Sequence, residues 1–228
     1  MDFQGIPQAT FDFLAGLEAN NSRDWFEAHR ADYDRGWLSV GLDLAAALSQ
    51  PAARLGLLAV PKLNASLRRI HRDTRFSADK RPYHAELHLI LSTGAQFNKA
   101  PGVHLVFAAR GWGYGAGQYG LSSDALDRWR GFVSDSQGRG QVMDWLRRAG
   151  EVGCTLDPPD LARVPKGWEG GAGWDHLLRR KSVIARTQGQ VPLPDWIFGP
   201  GAVAGIVAVV EALAPLALGL ARLGSDNP

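Results

Sequence analysis

The period of the hydrophobic positions changes several times along this chain, and each change predicts a change of element. Phe13, Leu14 and Leu17 recur at helical spacing after Thr10, a residue suited to cap a helix, and Asn20 and Asn21 then break the run. Trp25, Phe26, His29, Tyr33 and Trp37 return at the same spacing, and Leu44 and Leu48 continue the face, which predicts a second, longer helix. A stripe of this kind is more often the buried side of a helix than a ligand platform. From His84 the period drops to two. Ala85, Leu87, Leu89 and Leu91 form one side of a strand over 84–92, with His84, Glu86, His88 and Ser92 mostly on the other. Residues 102–110 are apolar on both sides, as expected of a central strand.

Further on, Leu126, Trp129 and Val133 mark one amphipathic helix, with Ser122 or Ser123 as its cap. Val142, Trp145, Leu146 and Ala149 mark another, ended by Gly150. Residues 154–156 read as a short strand, Asp175 to Leu178 as a short helix and 183–185 as a strand. Residues 202–220 are apolar except for Glu211 and predict a C-terminal helix, kinked or broken near Pro215. Together these elements predict a single α+β domain over 1–228. A mostly antiparallel sheet, with strands near 64–76, 84–92, 102–112 and 182–187, would be covered by N-terminal, middle and C-terminal helices.

Composition narrows the function classes. The chain has 228 residues and a net charge of +2, so a nucleic-acid role has to rest on a local basic patch. Cys154 is the single cysteine, which rules out an internal disulfide and suits a reducing, cytoplasmic setting. No secretory signal is visible at the N-terminus. The apolar stretch 202–220 is just long enough to span a bilayer, but Glu211 near its centre and Pro215 favour a buried helix and no membrane association.

The densest chemistry lies in residues 64–84, NASLRRIHRDTRFSADKRPYH. Arg68, Arg69, Arg72, Arg75, Lys80 and Arg81 face only Asp73 and Asp79 there. Taken as a strand, the segment places Arg69, His71, Asp73 and Arg75 on one side. Guanidinium groups grip carboxylates or phosphates through planar forks, so the segment wants negative partners. Either acids within the fold supply them, as a structural ion network, or an external anion does. His84, Glu86 and His88 alternate along the next strand and are weak metal candidates, with no second cluster to complete a site. Residues 111–120, GWGYGAGQYG, place Gly115, Gly117 and Gly120 in a G-x-G-x-x-G pattern, but outside the strand-to-helix context of a dinucleotide site. The glycines instead allow a bulge or close backbone approach, with Trp112, Tyr114 and Tyr119 beside them. Near the end, Arg179, Arg180 and Lys181 follow the short helix, where positive charge suits its C-terminal dipole.

HRDTRFSADKRPYH resembles the R-D-x-R-F-S-x-D-K-x-P-Y signature of the family called domain of unknown function 2461. NNSRDWFEAHRADYD, GAGQY, LARVPKGW, DHLLRRKS and VVEALAPL are similar to further blocks of it. The resemblance spans most of the chain and implies a soluble α+β protein, without a reaction or a cofactor. Residue by residue, it covers Arg72, Asp73, Arg75, Phe76, Asp79, Lys80, Pro82 and Tyr83, with Gly115, Gly117, Lys166, Gly167, Asp175, Leu177, Lys181 and Ser182. Glu86 and His88 depart from the family pattern, which weakens the metal idea.

Three functional expectations follow. The first is a pocket for a phosphate- or carboxylate-bearing small molecule, built from Arg69, Arg72, Arg75, Lys80, Gly115, Gly117, Lys166 and Lys181. The second adds chemistry, a hydrolase or transferase acting on a phosphorylated substrate, with His71 oriented by Asp73 and Tyr83 as a proton donor. The third is nucleic-acid binding along the basic strand, with Trp112, Tyr114 and Tyr119 stacking on bases.

Overall fold

The alternating run that starts at His84 becomes β1 (Glu86–Ser92), and the apolar run after it becomes β2 (Gly102–Ala108). The computed structural model describes residues 3–224. A tight connection leads from β2 into β3 (Gly111–Gln118), and β5 (Val183–Arg186) and the two-residue β4 (Thr155–Leu156) complete a sheet of order β1-β2-β3-β5-β4. Every neighbouring pair is antiparallel. Register decides which side chains share a face. Leu87 lies opposite Phe107 and Phe107 opposite Trp112, while Leu91, Val103, Ala116 and Ala185 form a row across four strands. All of these are buried.

The helices collect on that apolar face. They are α1 (Gln8–Ala19), α2 (Arg23–Ala28), α3 (Arg30–Asp32), α4 (Val40–Arg54), α5 (Ser123–Ser134), α6 (Ser136–Glu151), α7 (Asp175–Leu178) and α8 (Ala202–Gly224). α8 packs on β2 and β3 and also meets α4, α5 and α6. The Trp145 ring sits where a Cβ on Gly219 would be, so α6 and α8 approach closely. α8 runs unbroken through Pro215, and the expected break is not present. Leu213, Ala214, Leu216 and Ala217 on either side of the proline are all buried and hold the helix in place. By length and composition α8 could cross a membrane, and 50% of its most apolar window is buried inside the protein.

Other expectations change in detail. α1 starts at Gln8, after Pro7, so Thr10 is not a cap; it is buried, and its hydroxyl donates to the Gly36 carbonyl. The long helix expected over 25–48 is divided into α2, α3, a π-helical stretch Tyr33–Ser39 and α4. A π turn adds a residue to the helical cycle, and with it Tyr33, Trp37, Leu44 and Leu48 all stay buried. The strand expected over 64–76 does not form, for reasons given below. Ser122 is the cap of α5, accepting from Ala125 N–H at 3.3 Å.

Residues 111–118 form a strand and not a glycine loop. A Cβ on Gly115 would meet Arg186 Cβ at 2.5 Å and Ala185 O at 2.6 Å, so glycine is what lets β5 pair with β3. Gly117 has φ +145, and its Cβ would run into the Val183 carbonyl and lie 2.8 Å from Ile184 Cα. Gly117→Ala is therefore expected to cost about 2–4 kcal/mol, overpacking added to backbone strain. Gly120→Ala, at φ +63 with no atom within 4 Å, should cost only about 1 kcal/mol. Urea unfolding midpoints of the two variants test the ranking.

Candidate functional site

The arginine-rich stretch begins along the outer edge of β1. Ile90 N–H donates to Ser66 O at 2.8 Å and Arg68 N–H to His88 O at 3.0 Å. Past Ile70 the chain leaves the sheet as a loop whose neck is closed by Arg72 N–H to Pro82 O and His84 N–H to Ile70 O, both 2.8 Å. Two copies of one local device shape the loop. Asp73 accepts the Arg75 backbone N–H at 3.2 Å and its guanidinium at 3.0 and 2.7 Å. Asp79 does the same to Arg81, with the backbone N–H at 3.0 Å and the guanidinium as close as 2.7 Å. An aspartate bonded to the backbone two residues on makes a turn that competes with an extended strand, which is why 64–76 does not join the sheet. Hydrogen bonds from Arg75 hold the Asp73 carboxyl down at about 2, and those from Arg81 hold Asp79 well below the usual carboxylate range.

These clasps also use up charge. Arg72 reaches Asp79 at 2.8 Å and the Arg81 carbonyl at 3.0 Å, and Lys80 donates to Thr74 O at 3.0 Å. Of the expected anion-binding residues in the loop, Arg72, Arg75 and Lys80 are thus tied to loop acceptors. Arg69 makes no hydrogen bond or ion pair among the described residues. Arg68 Nη1 donates to His88 Nδ1 at 3.4 Å, and its charge also acts on the half-buried Glu86 carboxyl nearby.

That histidine lies on the second face of the sheet, which no helix covers. Register places Ile90, His104, Gly115 and Arg186 in one row across it, with Val106 and Gly113 beside His88 in the next. Two clefts open there. One, of about 540 Å³, has Val106, Gly113, Gly115, Gly117 and Ile184 as its floor and Arg186 at its side. The other, of about 570 Å³, lies under the arginine loop and is lined by Arg68, Arg69, His71, Asp73, Asn98 and others. His104 and Tyr119 border both.

His88 Nε2 and His104 Nδ1 are 2.9 Å apart. An arginine offers only donors, so His88 Nδ1 accepts from Arg68 and its proton sits on Nε2. That proton is donated to His104 Nδ1, which leaves the His104 proton on its own Nε2. Both rings are neutral in this arrangement. Burial, and then the neighbouring His104 and Arg68, push His88 down to about 2; burial and Arg68 push His104 down to about 4.

The other expected residues are dispersed. His71 and Asp73 share the loop cleft, but Asp73 gives both oxygens to Arg75 and makes no hydrogen bond to His71. Tyr83 is buried at 5% exposure and stacked on Phe26 at 4.2 Å, with its pKa raised by burial. Gly115 and Gly117 do lie in the site, as floor of the first cleft. Lys166 and Lys181 are exposed and line neither cleft. The late block anchors instead: Asp160 accepts the backbone N–H groups of Lys181 and Ser182 at 2.7 and 3.0 Å, and Arg180 Nε ties back to His176 O at 3.1 Å. His84, Glu86 and His88 do not converge, since His84 stands 3.9 Å from Glu86 while His88 turns to His104. Among the described residues no group of three or more such side chains is placed to hold a metal. Trp112 and the Tyr114 hydroxyl, which donates to Val152 O at 2.8 Å, are committed to the helix side, and only Tyr119 is free to stack.

With that geometry in view, the chain was compared with known proteins. The profile of a conserved hypothetical protein family, DUF2461, matches residues 9–217, and the chain belongs to this family. No curated protein and no solved structure matches it.

Two predictions follow from the electrostatics. In the unfolded chain His88 and His104 take up protons at about pH 6.5, whereas folded they stay neutral to about 4 and below. The unfolded state then binds more protons, so stability falls as pH drops from about 6.5 towards 4, by up to about 1.4 kcal/mol per pH unit per histidine. Melting curves from pH 7 to 4.5 should show this slope, and His88→Gln should flatten it. Separately, Arg75 is exposed, and Arg75→Ala should leave the denaturation midpoint close to that of the wild type. Arg72→Ala, which removes the bonds to Asp79 and to the Arg81 carbonyl at the loop neck while Arg81 keeps its own hold on Asp79, should cost about 1–2 kcal/mol by chemical denaturation.

Proposed function

We propose that this protein binds a phosphate- or carboxylate-bearing small molecule in the cleft beneath the arginine loop, with Arg69 and Arg68 contacting the anion. The observation that carries the reading is selective neutralisation. Arg72, Arg75, Lys80 and Arg81 are all satisfied inside the loop, while Arg69 stands at a cleft of about 570 Å³ with no ion-pair partner among the described residues, the Asp73 carboxylate on the same lining giving both its oxygens to Arg75. A cleft of this size suits a small ligand, and the side chains of Asn64 and Asn98 add neutral polar groups to its lining. Cys154, a buried thiol pushed up to about 12 by its apolar surroundings, accords with a protein working in a reducing cytoplasm.

A thermal-shift series with inorganic phosphate, sulfate, citrate and sugar phosphates tests the reading, since a ligand of the folded state raises the melting temperature. At least one anion class should stabilise the wild type, and Arg69→Ala should weaken that ligand at least ten-fold. Lys166→Ala, at an exposed position lining neither cleft, should leave binding unchanged. No stabilisation by any anion would overturn the proposal. Preferential binding of an oligonucleotide, with a steep loss of affinity in salt, would replace the small molecule by a nucleic acid.

A further inference from the structure

The two clefts meet at His104, and the uncovered sheet face has a particular shape there. In the row His104–Gly115–Arg186 the middle position has no side chain, and the space there is taken by β5, since Arg186 Cβ lies 2.5 Å from where a Gly115 Cβ would be. The slot opens one row along, over Gly113, where a Cβ would meet only Thr187 Oγ1 at 3.3 Å and Gly189 O at 3.6 Å, and Val106 and Ile184 are apolar edges of the same cleft. Arg186 is held upright by Asp157, Nε to Oδ1 at 2.9 Å.

His104 presents one defined group to this slot. Its Nδ1 is taken by His88, and Nε2, which carries the proton, has no protein partner among the described residues. The relay from Arg68 through His88 therefore delivers a neutral N–H donor to the junction of the clefts. Tyr119 borders the same junction, is 85% exposed and stacks on no aromatic ring among the described residues. A bare apolar floor, an unpartnered aromatic ring and a fixed neutral donor together recognise a planar heteroaromatic ring with an acceptor on its edge.

Building on the anion reading above, we propose that the ligand is a ring-bearing phosphate of nucleotide type. Its phosphate meets Arg69 and Arg68, and its ring lies over Gly113 with an acceptor on His104 Nε2–H. His104 is thus the specificity-determining residue, and Arg68 and His88 position its proton.

Calorimetric titrations with inorganic phosphate, ribose 5-phosphate and the nucleoside 5′-monophosphates test this. At least one nucleotide should bind ten-fold or more tighter than ribose 5-phosphate. His104→Leu should weaken that nucleotide at least ten-fold without changing affinity for ribose 5-phosphate, and His104→Gln, which keeps an N–H donor, should recover part of the loss. Gly113→Ala gives a second readout that does not touch the relay. Its Cβ meets only Thr187 Oγ1 at 3.3 Å and Gly189 O at 3.6 Å, so the fold should persist while the raised floor weakens the nucleotide alone. Nitrogen-15 spectra should show His104 as the neutral Nε2–H tautomer from pH 7 to 5. Equal affinity for ribose 5-phosphate and every nucleotide overturns the ring slot yet leaves the anion site standing. An Nδ1–H tautomer overturns the relay, and failure of all phosphates to bind overturns both proposals.

Discussion

α8 carries apolar side chains on most of its circumference, and such a helix has to be enclosed. The sheet encloses it on one side and α4, α5 and α6 on the others. Exposed Glu211 marks the narrow strip that reaches water. Because one helix recruits the others around it, they all gather on one side of the sheet. The apolar rows Leu87–Phe107–Trp112 and Leu91–Val103–Ala116–Ala185 are the matching half of that enclosure. The second face of the sheet is left bare as a consequence of where the burial is concentrated.

An antiparallel sheet tolerates one solvated face, yet this face is not ordinary polar surface. Close pairing of β3 with β5 demands glycine at 115 and 117, and Gly113, one row along, leaves the face without a side chain there. The glycines of β3 thus serve both the packing and the hollow, and the residues bordering it, His104 and Arg186, acquire a common space. The arginine loop then roofs one end of it. Structure and candidate site draw on the same strand.

Much of this was legible in the sequence. α5, α6, α7 and the alternation of β1 follow from period and capping, because their apolar positions are regularly spaced and their ends carry Ser122 or charged residues, although α6 runs past the expected stop at Gly150 to Glu151 and is followed by Gly153 at φ +78. The arginine-rich stretch stands out in the sequence by its density of charge, but its form does not. The composition of 64–76 admits a strand, and only the side-chain bonds of Asp73 and Asp79 to their own backbone exclude it. β3 was hidden because glycine is rare in strands, and its reason for being there lies in β5, some seventy residues later along the chain (Gly115 beside Arg186). His104 looked like one polar residue in an apolar run. Its pairing with His88 is diagonal across a hairpin, so it emerges only with the register. Lys166 and Lys181 carry the right charge, but nothing in spacing along the chain reveals that they lie outside the clefts.

The paired aspartate clasps have one more consequence. A loop rich in arginine would ordinarily be kept open by repulsion and would stiffen only around an incoming anion, losing affinity to the ordering of its own backbone. Here Asp73 and Asp79 each settle the arginine two residues ahead, so the loop's shape is fixed by its own side chains. Under the anion-binding proposal, such a loop would present Arg68 and Arg69 already in place, and binding energy would go to recognition and not to folding the receptor.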